Sequence, residues 1–304
     1  MTGSRLRTRC VGVAEQVARG WRQFFLAESS VTGAVAFRVF LALWTLGFYW
    51  ERLDHAWELY ARPVLRSVSP RVSALGSPLP DQWLAEVTML VLMALLLGFV
   101  FSSRPRVFHV LLMIPLTLLM EFETLMGRAY GQLAYIQWWL LFLVPYDRHL
   151  TGNRDVVTAP RLGVRLLQLQ WASVYFFTVL AKAMSGIWFD GSGLWAKFHG
   201  ERLGQWLLSD WFSIPQSVAA GMGYATLVCE WFIAIGIFFK PTRRWAMLSC
   251  VVLHLGILLT VRVSVLFGAL MWGHLLLFVT DDEWRRLFRR FVPREAAAAN
   301  EAGD

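Results

Sequence analysis

The residues able to do chemistry concentrate in LQLQWASVYFFTVLAKAMSGIWFDG, residues 167–191, an apolar stretch of membrane length with one ammonium, Lys182, near its far end. Read as a helix, Gln168, Trp171, Tyr175, Thr178 and Lys182 recur at spacings of three and four, so the groups able to hydrogen-bond share one face. That face predicts a protein interior. An ammonium in hydrocarbon costs about 2.5–3.5 kcal/mol on insertion scales, which makes an ionisable residue within a span a candidate for proton chemistry. A lysine near a helix end, a few residues before a tryptophan such as Trp188, also serves as a snorkelling anchor. Residue chemistry alone leaves both readings open. As a base, Lys182 has to be neutral; desolvation favours that form and a nearby carboxylate opposes it.

Other ionisable groups follow the same logic. Glu121 and Glu123 lie two apart, so only one of them can face an interior, as counter-ion or proton relay for Lys182. Arg38 and Glu230 fall in the opposite half of the membrane from Lys182 when depth is counted along each span, and are expected to pair as helix glue. His254 and His274 lie in neighbouring spans, where two histidines either ligate a metal or haem iron or hydrogen-bond across helices. No HxxxH, HxxHH or CxxC spacing accompanies them, so no metal is expected. No GxxxxGK[ST] or GxGxxG signature occurs, which speaks against nucleotide-driven chemistry. Cys10 precedes the first span while Cys229 and Cys250 lie within spans, a distribution that predicts no disulfide framework.

The elements that must hold these residues are read from composition and hydropathy. Of 304 residues 57% are hydrophobic and 16% charged, whereas soluble domains carry about 25% charged residues. The expected fold is all-α: a polytopic membrane protein with about eight transmembrane helices plus an N-terminal interfacial amphipathic helix. The spans are expected at about 31–50, 83–101, 107–126 (interrupted by Pro115), 132–144, 166–185, 216–239, 245–261 and 264–280. Three parts result: an interfacial segment over 1–30, a transmembrane domain over 31–281 and a basic tail over 282–304. Residues 5–27 place Cys10, Val13, Val17, Trp21 and Phe24 on one face, as suits a helix lying in the interface. This segment has no continuous apolar core before a small-residue cleavage site, so a cleaved leader is not expected.

Charge placement predicts orientation. The net charge is +8, and 19 of the 29 basic residues fall in the N-terminal segment, the C-terminal tail and the connections after spans two, four and six. The positive-inside rule then puts both termini in the cytoplasm of an inner (plasma) membrane protein, and its partner is the lipid bilayer rather than nucleic acid. Lys182 falls near the non-cytoplasmic face. Residues 186–215, with Trp188, Trp195, Phe198, Trp206, Trp211 and Phe212, read as an interfacial lid over the end of span five or as an aromatic anchor. No repeated half with matched broken helices is visible, which disfavours a transporter.

The run VYFFTVLAKAMSGIWFDG, with Gln170 before it, resembles the signature of the HTTM superfamily, the membrane domain related to vitamin K-dependent gamma-carboxylase. In that family a Gln-rich apolar helix with a tyrosine leads to a lysine, a short polar linker and a Trp-x-[Asp/Glu]-Gly element. The matching positions are Gln170, Tyr175, Lys182, Trp188, Asp190 and Gly191. Weaker similarity extends to Arg38 in the first span, Glu230 in the sixth and His254 with Leu255 in the seventh. The pattern departs at span four, where the carboxylases keep a histidine and nothing between Met126 and Trp138 supplies one.

The resemblance implies a carboxylase-like enzyme using a lipid quinol, with Lys182 as base and Tyr175 as its catalytic hydrogen-bonding partner. A reduced quinone of the vitamin K or menaquinol type would be the cofactor, bound by Gln170, Thr178, Trp188, Asp190, Gly191 and His254. It equally implies a non-catalytic alternative, because some HTTM-related proteins help mature a secreted peptide toxin. The partner would then be a membrane-proximal peptide or a soluble protein, and Lys182 an anchor.

Overall fold

The computed structural model describes residues 15–56, 82–125, 129–146, 158–199, 214–260 and 265–291. Within them the chain is all-α apart from one short ribbon. Residues 15–25 form α1, followed by β1 (Glu28–Ser30), α2 (Thr32–Leu53), α3 (Gln82–Phe101), α4 (Pro105–Leu125) and α5 (Ala129–Leu141). Then come β2 (Thr158–Pro160), α6 (Leu162–Ser185), α7 (Ser192–His199), α8 (Gln216–Gly236), α9 (Arg243–Thr260), α10 (Val265–Gly273), a 3₁₀ turn (His274–Phe278) and α11 (Asp281–Phe291).

The expected spans overlap α2, α3, α4, α5, α6, α8, α9 and α10 with its 3₁₀ turn. Among the described residues five helices, α2, α3, α6, α8 and α9, are long and apolar enough to cross a membrane; α4 and the α10–3₁₀ segment carry shorter apolar runs. Pro115, where the sequence predicts a kink, lies inside α4, which continues through it. Only the second half of the expected interfacial helix, α1, lies within the described residues, and it leaves Val17 and Trp21 exposed.

Helix α2 is the hub of the packing, touching α3, α5, α10 and the 3₁₀ turn. It buries Phe37, Leu41, Phe48 and Tyr49 to 1% exposure or less. Elsewhere large apolar side chains face outward, among them Leu90 and Leu97 on α3, Ile114 and Leu118 on α4, Phe177 on α6 and Val228 on α8. An apolar exterior around a packed core is what a lipid solvent permits and water penalises.

Two contacts fix the frame of α6. At its first end β1 pairs antiparallel with β2, Ser29 opposite Ala159, which ties the segment before α2 to the entrance of α6. Along its length α6 packs on α8, and α8 in turn on α9.

Candidate functional site at the α6–α8 contact

Helix α6 presents Tyr175 and Lys182 in two layers seven residues apart, about 10.5 Å along the axis. The deeper layer is Tyr175, 2% exposed. Its hydroxyl shares a 2.8 Å hydrogen bond with His254 Nε2 and lies 3.3 Å from Cys250 Sγ, both on α9. His254 is itself buried, and its Nδ1 has no hydrogen-bond partner among the described residues.

The second layer is Lys182, whose Nζ donates to Glu230 Oε1 on α8. The two side chains are 16% and 6% exposed, so most of the charge pair is out of solvent. Among the described residues Glu230 Oε2 is buried without a hydrogen-bond partner. The Lys182 ammonium also lies 4.6 Å from the centre of the Trp188 ring, and Lys197 approaches the same ring at 5.1 Å. Both distances are within the range of cation–π attraction. Lys197 is exposed by surface area, yet the protein around its ammonium, and then neighbouring Lys182, lower its pKa.

This partnership corrects the expected one. Counting depth along each span puts Glu230 level with Arg38 only where neighbouring spans end level. They do not, because α8 begins well beyond the end of α6. Trp188, past that end, packs against Gly223, and Gly191 packs against Gln216 and Ala220 in the first turns of α8. Glu230 is thereby carried to the level of Lys182. Arg38 instead sits 5.3 Å from the rings of both Phe99 and Tyr146. Lys182 takes its carboxylate from Glu230; the side chains of Glu121 and Glu123 lie outside the described residues.

The turn after α6 is shaped by backbone chemistry. Gly186 and Gly191 have φ of 73° and 78°, a region glycine enters without a Cβ penalty. A Cβ on Gly191 would meet Ala220 N at 2.4 Å, and one on Gly223 would meet Trp188 O at 2.3 Å. Asp190 Oδ1 accepts from Ser192 N at 2.8 Å and from Ser192 Oγ at 2.7 Å. These bonds stabilise the start of α7 and hold the Asp190 carboxyl below its ordinary pKa. Trp188, Leu194 and Phe198 then bury against Ala219 and Leu227 of α8. Residues 186–199, the described part of the stretch read as a lid or an aromatic anchor, pack against α8 beside the end of α6; Trp206, Trp211 and Phe212 lie outside the described residues.

Not every candidate joins the site. Gln170 lies twelve residues before Lys182, about 18 Å along the helix, and its side chain bonds Gln137 on α5. Thr178 turns its hydroxyl back to Val174 O in its own helix. Asp190 is exposed and acts on the turn rather than on the ammonium. His254 and His274 serve separate contacts, the latter bonding Leu270 O at 2.6 Å and stacking near Trp171. No group of three or more His, Cys, Asp or Glu able to hold a metal occurs among the described residues.

The sequence reading missed Lys197 and Cys250. Lys197 had a usable signal, a lysine nine residues beyond Trp188 within an aromatic-rich connection, whereas Cys250 carried none beyond its place four residues before His254. It also missed a second polar cluster, in which His109 bonds Tyr146 at 2.6 Å and Trp138 O at 3.0 Å while stacking on Phe142. Comparison with family models, curated proteins and solved structures finds no match to this chain.

Proposed function

We propose that this chain is an integral membrane protein with eight spans and cytoplasmic termini, and that its α6–α8 contact is a proton-transfer site of the quinol-using, carboxylase-like type. The observation that carries the reading is the largely buried Lys182–Glu230 pair, roofed by Trp188 and set two turns from the Tyr175–His254 hydrogen bond. An ionisable pair in a span is expensive to keep, and such groups mark proton or substrate pathways.

The local groups fit a reduced quinone on two grounds. Among the described residues Glu230 Oε2 and His254 Nδ1 are buried polar atoms without partners; Glu230 Oε2 can accept from a hydroxyl, and His254 Nδ1 can accept from a hydroxyl or, in the tautomer that carries its proton there, donate to a carbonyl oxygen. Aromatic faces also meet across the same helix contact, with Phe176 on α6 and Trp231 on α8 stacked at 5.2 Å. When bound, a reduced quinone supplies an acidic hydroxyl and reducing electrons.

The chain's own part is proton handling. With the proton on Nζ the pair is ammonium and carboxylate, and Lys182 cannot act as base. Moving that proton to Glu230 Oε1 along the existing hydrogen bond leaves a neutral amine and a neutral acid, with no heavy atom displaced. Lys182 is then able to accept a proton from a hydroxyl placed against it. The Tyr175 hydroxyl and His254 hold the deeper wall, and Trp188 limits access of water from the end of α6.

A lipid extract of the protein purified in mild detergent tests the reading. It should contain a lipid quinone that is lost on Tyr175→Ala and on Lys182→Ala; an extract free of quinone from well-folded wild-type protein would count against it.

A second reading is favoured by one feature. Ile187, Phe189 and Trp195 are each 39% exposed or more on the turn and α7. They form an apolar surface at the end of α6 suited to a membrane-proximal peptide. The chain would then be a non-catalytic partner in maturation or export, with Lys182–Glu230 holding α6 to α8.

A further inference from the structure

At the opposite end of α6 from Lys182 lies a cavity of about 300 Å³, at the lower limit of the range that small-molecule sites occupy. Its wall carries Arg161, Arg165, Lys240 and Arg243 against one carboxylate, Asp281. We propose that this cavity binds a phosphate-bearing anion, with the headgroup of an anionic phospholipid as its resident ligand.

The four cations are not used up by the protein. Among the described residues none of them forms an ion pair. Arg165 donates from Nε, to Phe24 O at 3.3 Å, and from Nη1, to Gln168 Oε1 at 2.7 Å, and its guanidinium lies 4.4 Å from the centre of the Phe24 ring. Arg243 donates from Nε to Ile237 O at 3.3 Å. A guanidinium has five N–H donors, so most remain available. Among the described residues Arg161 Nε is buried with no hydrogen-bond partner. Burying donors and gathering like charges are both unfavourable unless an anion relieves them.

The neighbouring cation that does have a partner sharpens the contrast. Arg244 Nη2 lies 2.9 Å from Glu283 Oε1, just outside this wall.

Position selects a lipid over a solute. The wall is built from the first turns of α6, the α8–α9 connection and the end of the 3₁₀ turn, with Ser29 and Ser30 of β1. These are the ends of span-length helices, the level of headgroups in a bilayer. The same wall is apolar along Val164, Leu277 and Phe278, as a glycerol backbone and the start of an acyl chain require. Basic pockets between transmembrane helices are a recurrent mode of anionic lipid capture.

The test is native mass spectrometry of the full chain released from bilayers of equal phosphatidylglycerol and phosphatidylcholine. Wild type is expected to retain phosphatidylglycerol in preference, and Arg161→Gln with Arg243→Gln to lose at least tenfold of that preference. Lys197→Gln, at the far end of α6, should leave it unchanged. If the double variant does not insert, Lys240→Glu on an exposed side chain should lower the preference at least threefold. Adding inorganic phosphate separates the sources: lipid that resists millimolar phosphate identifies a headgroup site, and lipid displaced by it identifies a site for free phosphates of the same chemistry. Equal retention of both lipids by wild type, or an unchanged preference in both variants, would overturn the proposal.

Discussion

Lys182 on α6 and Glu230 on α8 meet through a direct hydrogen bond from Nζ to Oε1, in a contact that leaves the lysine 16% and the glutamate 6% exposed. The pair joins two helices of span length and sits directly under Trp188. Its energetics separate the structural from the chemical role.

Removing one partner strands a buried charge, which costs about 3–5 kcal/mol, whereas replacing both by apolar residues is often neutral or stabilising. Lys182→Ala and Glu230→Ala should each lower thermal stability in detergent by that order, and Lys182→Met with Glu230→Leu should recover most of the loss. Single variants as stable as wild type would mean that the pair is not formed.

The close approach of Trp188 O to Gly223 makes a second prediction. Gly223→Ala forces the turn after α6 away from α8 and should cost about 1–3 kcal/mol as an overpacking change. Gly221→Ala, two residues earlier with open space around its Cβ, is the control and should be tolerated. Melting curves of the two variants compare them directly.

Tyr175→Phe deletes the 2.8 Å bond to His254 while keeping the ring. His254 then has both ring nitrogens without a partner, because Nδ1 already lacks one. A loss of about 1–3 kcal/mol is expected for a stranded buried group. An unchanged unfolding midpoint would show that a water or another side chain takes over.

At the start of α11, Thr280 and Glu283 form a capping box: Glu283 Oε2 accepts from Thr280 N at 3.0 Å, and Glu283 N donates to Thr280 Oγ1 at 3.4 Å. Thr280→Ala should cost about 1 kcal/mol locally. The Thr280 backbone N–H, with smaller help from Arg244, holds the Glu283 carboxyl below its ordinary pKa. A depressed folded pKa means that this stabilisation is complete above the unfolded value of about 4.3. It is lost as pH falls through the folded pKa. Limited proteolysis of α11 should therefore accelerate on acidification below roughly pH 4 in wild type, and Glu283→Gln should remove that acid dependence.

Much of this was legible in the sequence because hydropathy and length are local properties. The stretch around Tyr175 and Lys182 announced its polar face by spacing, and the structure buries Gln168, Trp171 and Tyr175 on that face. The ends of α3 and α6 fall where apolar runs end. The partner of Lys182 was not legible, because it depends on how far α8 slides past α6, and that offset is set by glycines at 191 and 223 meeting backbone in three dimensions. Gln170 misled for a related reason, since a motif position close in sequence stands more than three turns from the lysine. The basic cavity was invisible as a site, because Arg161 and Arg165 come from one helix and Lys240 and Arg243 from another connection; in sequence they register only as orientation charges.

The most direct test of the central claim is saturable binding of a reduced menaquinone analogue to the chain in lipid nanodiscs, comparing wild type with the stability-matched Lys182→Met, Glu230→Leu variant. The proton-transfer account predicts saturable binding by wild type and at least a tenfold loss in the variant, although both remain folded. Equal binding by the two proteins, or no saturable binding by wild type, would contradict it and leave Lys182–Glu230 as a link between helices.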